Sequence, residues 1–290
     1  FTLQDGDPIS YIKKRALPLY PFFKMFFTKA DHIQAISKYL ANWAVEMNAK
    51  CPITVVPNAV DYKLFSQDFS EIELDEVKRE IGKKPNDIFL ITTSRLVVKN
   101  AVSDIIKSLV YLQPNFKLLI CGQGYEEERL RDLVKIENLQ DRVVFKGYVG
   151  HKDMPRYLKA CDIFVRPSLS EGLGNSFLEA MASDIPIIGT NVGGIPDFLI
   201  DRKTGLFCEV KNTQPRISLV IFYFYDVWQE LEAERENIQT VEDFKAAVLR
   251  ATQKVQVENA DEFEAIVRAG AELVEDGDTI LVHSHSGTVR

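Results

Sequence analysis

The chain has 290 residues, 46% of them hydrophobic and 27% charged, with a net charge of −7. That composition supplies a sizeable core, favours two domains over one, and excludes a fibrous or disordered chain. No run of about 18 apolar residues occurs, so no membrane-spanning helix is expected, and so acidic a chain is a poor partner for nucleic acid. The charge is uneven: residues 213–290 carry 7 basic and 15 acidic groups, whereas residues 1–50 carry 7 basic and 4 acidic ones. A step of this size predicts different modules on either side of about residue 212. Cys51, Cys121, Cys161 and Cys208 are scattered and form no C-x-x-C pair. Neither a zinc site nor a disulfide framework is expected, and a reducing cytoplasm is the default location. Of the four histidines only His283 and His285 sit close together, so no metal centre is expected.

The opening Phe1-Thr2-Leu3-Gln4-Asp5 carries no basic-then-apolar leader and reads as a chain entered partway through a strand. Residues 31–47 repeat apolar side chains (Ile33, Ile36, Leu40, Trp43, Val45) at near-helical spacing and predict an amphipathic helix. Ile53–Val56 is a short β-branched strand stopped by Pro57-Asn58. From residue 88 the pattern alternates. Strands are expected at 88–93, 116–121, 142–145, 162–167 and 186–189. Helices are expected at 102–112, 125–138, 152–160, 175–183 and 195–200, the second with Leu130, Leu133, Val134 and Ile136 facing inward. Strands apolar on both faces and separated by three-turn helices predict an α/β fold with a Rossmann-like parallel sheet. Ligands of such sheets sit at the carboxyl ends of the strands. Beyond residue 212 come an aromatic run, SLVIFYFYDV (218–227), helical patterns at 229–253 and 260–273, and a strand at 279–283. The domains expected are therefore 1–58, 59–212 and a mostly helical segment, 213–290, whose last unit reads as cut.

Two stretches carry the chemistry. In PSLSEGLGNSFLEAMA (167–182) two carboxylates stand eight residues apart, Glu171 before a glycine turn and Glu179 about one turn inside the next helix. Gly172 and Gly174 allow the backbone to approach a ligand, and free amides at Gly172, Leu173, Gly174 and Asn175 can bind a diphosphate. Glu179 is placed to accept from ribose hydroxyls and Glu171 to meet a projecting sugar. In TSRLVVK (93–99), Arg95 and Lys99 stand four residues apart at a strand's carboxyl end. They can clamp a diphosphate and stabilise the charge that grows on it as a glycosidic bond breaks. Gly122-Gln123-Gly124 lacks the third glycine of a dinucleotide fingerprint, and a tight turn explains it equally well. The backbone at Tyr148–Val149 can offer hydrogen bonds to a base edge. Gly193-Gly194-Ile195-Pro196-Asp197 either closes over the same ligand or is structural only.

These stretches, with AISKYL (35–40), VVPNAVD (55–61), LLICGQG (118–124), VVFKGYV (143–149), GTNVGGIPDFL (189–199) and TGLF (204–207), resemble the retaining glycosyltransferases of the GT-B fold, family 4 type, over residues 1–212. The resemblance implies the C-terminal half of a GT-B fold behind a partial N-terminal, acceptor-side domain. It implies transfer of a hexosyl group from a nucleoside diphosphate sugar with retention, no metal or other cofactor, and a sugar or lipid-linked acceptor. It also implies Arg95 and Lys99 on the diphosphate, Glu179 on the ribose, Glu171 on donor-sugar hydroxyls, and the Tyr148–Val149 backbone on the base. Asn100 and Ala59 stand where many members have glycine, Asp184 where a small residue is usual, and Gln4 where many carry a histidine.

QPRISL (214–219), TVEDF (240–244) and AELVEDGDTILVHSHSGTV (271–289) resemble a second family, the translation initiation factor 2B regulatory subunits and ribose-1,5-bisphosphate isomerases. In that family the loop here read as His285–Thr288 helps bind phosphate; an unfinished strand end is the plainer reading. The two families together suggest a fusion, and with it a non-catalytic nucleotide-binding or regulatory module as the rival to an enzyme. A phosphorylase of similar fold would need a lysine-bound pyridoxal cofactor, for which no motif is present. Lys13, Lys14, Arg15, Lys24 and Lys29 are interleaved with aromatic residues over 13–29. This segment is either a peripheral contact with an anionic membrane surface or a core helix whose lysines reach out to water.

Overall fold

In the computed structural model of the chain, residues 1–201, 203–208 and 221 are described. The aromatic run at 218–227, the helices at 229–253 and 260–273, the strand at 279–283 and the His285–Thr288 loop lie outside the described residues, Ile221 apart.

Among the described residues there are two parallel sheets. The first joins β1 (Thr2–Leu3), β2 (Ile33–Ala35) and β3 (Ile53–Val55) in that order. Helices α1 (Ile9–Ala16) and α2 (Tyr20–Thr28) connect β1 to β2, and α3 (Lys38–Glu46) connects β2 to β3. The expected helix over 31–47 is thus a strand followed by a helix. Ile33 and Ala35 alternate inward on a strand paired on both edges, and Ser37 then starts the helix by accepting from the Leu40 amide at 3.3 Å. Val45 points outward rather than in.

After α4 (Tyr62–Phe65) and α5 (Glu71–Ile81) the second sheet begins. Its strands are β4 (Ile88–Thr93), β5 (Phe116–Cys121), β6 (Val143–Gly147), β7 (Ile163–Arg166), β8 (Ile187–Thr190) and β9 (Leu206–Cys208). Between them run α6 (Val102–Ser108), α7 (Glu127–Ile136), α8 (Met154–Ala160) and α9 (Asn175–Ala182). The expected helix at 195–200 is one 3-10 turn, Ile195–Asp197. In α7, Leu130 and Val134 are buried and Leu133 is partly so, but Ile136 is exposed because it ends the helix on the solvent side.

The strand order β6-β5-β4-β7-β8-β9 is parallel throughout, and all six residues of β4 are buried. Leu90 packs into the core on one face of β4, and Phe89 and Ile91 into that on the other. The chain moves outward from β4 to β6, then returns to β4's other edge as β7. That reversal makes the β4/β7 boundary a topological switch point, where the following loops diverge and leave a crevice. Two further contacts join the sheets' surroundings. Leu173 and Phe198 pack into the core around β1–β3, and the Lys38 amide donates to Asp197 at 2.6 Å.

The lower edge of the large sheet is tied by Asp162, whose carboxylate accepts from Lys83 Nζ (2.7 and 2.6 Å) and from the Phe89 amide (2.6 Å). Lys83 itself is largely buried. Asp162→Ala leaves both donors without this partner and is expected to cost about 2–4 kcal/mol in urea denaturation. A loss below about 0.5 kcal/mol, the usual range for surface changes, would show that the tie contributes little.

Candidate functional site

The loop after β4 leaves the switch point on one side. Leu96 is fully buried and anchors it, its amide donating to Gln123 O (2.9 Å) while the Ser94 amide donates to Cys121 O (3.0 Å). Arg95 is exposed, whereas Lys99 is held by an ion pair to Asp7 at 2.9 Å. Buried Asn100 donates from Nδ2 to Arg95 O at 2.6 Å, fixing the backbone between the two cations.

From β7 comes the other wall. Glu171 is buried, and its Oε1 accepts from Arg166 Nη2 and from Ser168 Oγ (3.1 Å). Gly174 adopts φ +95 as the residue that starts α9, a conformation natural to glycine. Gly172 packs so closely under the N-terminal loop that a Cβ there would fall 2.6 Å from Asp5 O. The Leu169 amide donates to Lys99 O at 2.7 Å, which stitches the two walls together.

The structure therefore gathers most of the sequence-predicted residues. Lys99 Nζ, the Gly172 amide and Glu171 Oε2 surround one point beside Gly6, at 3.1, 3.1 and 3.7 Å from where its Cβ would lie. Arg95 and Lys99 also line a cavity of about 610 Å³ with Gln4–Asp7. Leu173 offers its amide only, since its side chain is spent on the N-terminal core and clamps the turn to it. Tyr148 is exposed and Val149 packs into the core, so only their backbone can serve a base. Glu179 lies one turn into α9, 3.7 Å from His151 Nε2, and the His151 ring stands edge-on to Phe65 at 5.0 Å.

Arg166 escapes the sequence reading, which takes it as the end of an apolar strand. Its guanidinium is buried and donates to Ser168 Oγ (3.2 Å), Asn100 Oδ1 (3.1 Å), Ser176 Oγ and Glu171 Oε1. The one available signal is a cation closing the strand DIFVR, where burial on both faces demands a partner. Asp7 and His151 carry no sequence signal, because their partners are 92 and 28 residues away. Burial pushes the thiols of Cys121 and Cys208 up to about 12 and that of Cys161 well above its ordinary value, which makes all three inert near neutral pH. Among the described residues no group of three His, Cys, Asp or Glu side chains is placed to hold a metal ion.

Desolvation raises the Glu179 carboxyl above the ordinary glutamate value of 4.5, opposed by His151 and Arg166. A raised folded-state value means that its contribution to stability is full below 4.5 and is lost as pH rises through the folded value. The ionised carboxylate therefore costs stability at neutral pH. Glu179→Gln is expected to raise Tm at pH 7, with the gain shrinking as the pH falls through the folded value and vanishing below 4.5. An equal shift at both pH values would contradict this origin.

A family model described as "Glycosyl transferases group 1" matches residues 74–225, just over half of the chain, and one described as "Initiation factor 2 subunit family" matches residues 207–290. Similar curated proteins include N-acetyl-alpha-D-glucosaminyl L-malate synthase of Bacillus anthracis, 30% identical over 64% of this chain and 48% of that one. The GDP-mannose-dependent monoacylated alpha-(1-6)-phosphatidylinositol monomannoside mannosyltransferase of Corynebacterium glutamicum is 29% identical over 67% and 53%. The chain thus spans about half the length of the curated relatives it matches. Among solved structures, Anabaena Alr3699/HepE in complex with UDP and glucose superposes with a TM-score of 0.71 at 18% identity, over 91% of this chain and 69% of that one. That likeness shows the fold, whose neighbours are GT-B glycosyltransferases. With the group 1 model covering more than half of its residues, the chain belongs to the group 1 glycosyltransferase family.

Proposed function

We propose that the crevice at the β4/β7 switch point binds a nucleoside diphosphate sugar and serves hexosyl transfer with retention of anomeric configuration. One observation carries this reading: Arg95, Lys99, Glu171, the Gly172 amide and the start of α9 meet at the position where a parallel sheet receives its ligand. The diphosphate lies between the two cations and the amides of Gly172–Asn175. Glu179 takes the ribose, Glu171 the hydroxyls of the donor sugar, and the backbone at Tyr148–Val149 the base. As the bond from the anomeric carbon to the diphosphate oxygen breaks, the electron pair leaves with the nucleotide. Arg95, Lys99 and the amides then stabilise a charge larger in the transition state than in the ground state. Because those groups supply the positive charge, the reading calls for no metal.

The acceptor in this reading is a sugar or a lipid-linked molecule. Leu17, Leu19, Phe22, Met25 and Phe26 are exposed among Lys13, Lys14, Arg15, Lys24 and Lys29, which supports contact of residues 13–29 with an anionic membrane surface. Among the described residues no helix is long and apolar enough to cross a membrane. A second reading, a nucleotide-binding regulatory module, is favoured by the initiation factor 2 match at residues 207–290.

Calorimetric titration with UDP, GDP and ADP tests the donor site. One of the three is expected to bind in the micromolar range, and Arg95→Ala and Glu179→Ala are each expected to weaken it at least tenfold. Absence of binding by the folded chain would overturn the proposal, and binding without sugar transfer would favour the regulatory reading. Asp7→Ala frees Lys99 from its carboxylate and is expected to tighten the same nucleotide several-fold; unchanged affinity would show that the Asp7 contact does not compete with phosphate.

A further inference from the structure

Arg166 is a buried cation that takes no part in the diphosphate clamp, and its polar contacts reach the β4 loop, the start of α9 and Glu171. Nη2 reaches Asn100 Oδ1 at 3.1 Å, and Asn100 in turn holds Arg95 O at 2.6 Å. Nη1 binds Ser176 Oγ in the first turn of α9. Nε donates to Ser168 Oγ at 3.2 Å, and Ser168 donates to Glu171 at 3.1 Å. Nη2 also pairs with Glu171 directly, with both side chains about nine-tenths buried. The guanidinium plane is braced from below by the Phe177 ring, at 5.8 Å.

Arg166 and Ser168 both use one oxygen of Glu171, Oε1. The second oxygen, Oε2, faces Gly6, beside Lys99 and the Gly172 amide. With Oε1 held by two donors, Arg166 Nη2 and Ser168 Oγ, the carboxylate has little freedom to turn, which sets the direction of Oε2. Without Arg166 the Glu171 side chain keeps only Ser168 on Oε1 and can choose among more rotamers, so part of the gain from any hydroxyl it binds would be spent on ordering it.

We propose that Arg166 is a positioning residue that aims Glu171 Oε2 at the donor's sugar, so that it sets affinity for the sugar moiety and leaves the nucleotide to Arg95, Lys99 and Glu179. This rests on the donor-site reading above. It separates two functions within the crevice, a nucleotide clamp that includes Arg95, Lys99 and Glu179 and a sugar clamp at Glu171. Lysine at this position keeps the charge but has a single ammonium in place of the fork, so Arg166→Lys restores only part of the effect.

The test compares affinities for bare and sugar-bearing nucleotides: UDP with UDP-glucose, GDP with GDP-mannose, and ADP with ADP-glucose. They are measured on wild type, Arg166→Gln, Arg166→Lys, Glu171→Gln and the Arg166→Gln/Glu171→Gln double variant, each checked for a cooperative thermal transition. In Arg166→Gln the sugar nucleotide is expected to weaken at least tenfold and the bare nucleotide less than threefold, with Arg166→Lys intermediate. The double variant is expected to bind the sugar nucleotide no more weakly than the worse single variant, because both act through one carboxylate. If Arg166→Gln does not fold, Arg166→Lys alone decides, through the same difference between the paired ligands. Equal weakening of both ligands, or additive losses in the double variant, would make Arg166 a general support of the loops and overturn the proposal. Unchanged affinities in a folded variant would overturn it too. A wild-type chain that binds none of the six ligands would instead overturn the donor-site reading, and this inference with it.

Discussion

The crevice depends on a buried ion pair, Arg166 with Glu171, set at the carboxyl end of β7. Neither group could stay there alone, because an uncompensated charge in such a place costs several kcal/mol, on the order of 3–5 when one partner of a buried pair is removed. Burial pulls the Arg166 guanidinium below its ordinary value, with Glu171 and then Glu179 opposing that fall. The pair is therefore a constraint before it is a source of stability. It requires Ser168, Asn100 and Ser176 to complete its hydrogen bonds, and those three residues belong to three separate segments of the site. Satisfying one charge draws the site together.

The sheet explains why such a constraint belongs at this place. Parallel strands buried on both faces leave their functional groups only at the ends. The reversal of strand order between β4 and β7 opens a gap there between diverging loops. Phe177, Phe164 and Leu96 hold the framework from below, while Leu173 and Phe198 insert into the neighbouring core around β1–β3. The loop Asp5–Asp7 then lies across the mouth, and Asp7 pairs with Lys99 there.

Much of this was legible in the residues, for identifiable reasons. Five of the six strands of the large sheet are legible because parallel strands are continuous apolar runs, whereas β9 is only three residues long and offers no such run; the glycine turn with its two glutamates is legible because local spacing suffices to place it. In the segment 31–47, Ile33 and Ile36 fit helical spacing, whereas pairing with β1 and β3 decides for a strand at Ile33–Ala35. Helix α5 starts at a capping box of Ser70 and Glu73, a start that the spacing S-x-x-E announces. Arg166, Asp7 and His151 were not legible because their roles come from partners distant in the chain, and no local pattern encodes such pairings. The amphipathic segment 13–29 is intermediate between its two readings: Phe27 is buried in the core while Phe22 and Phe26 face outward.

The family assignment rests on residues 74–225, and the match to a second family begins at residue 207, at the end of the large sheet. What the chain does as a whole therefore turns on whether the crevice still receives a donor. A crystal structure of the full chain with UDP-glucose, GDP-mannose or ADP-glucose is the most direct test. The account predicts the diphosphate between Arg95, Lys99 and the amides of Gly172–Asn175, the ribose on Glu179, the sugar against Glu171 Oε2, and Asp7 displaced from Lys99. A nucleotide ordered elsewhere on the chain, with the Asp7–Lys99 pair intact, would contradict it.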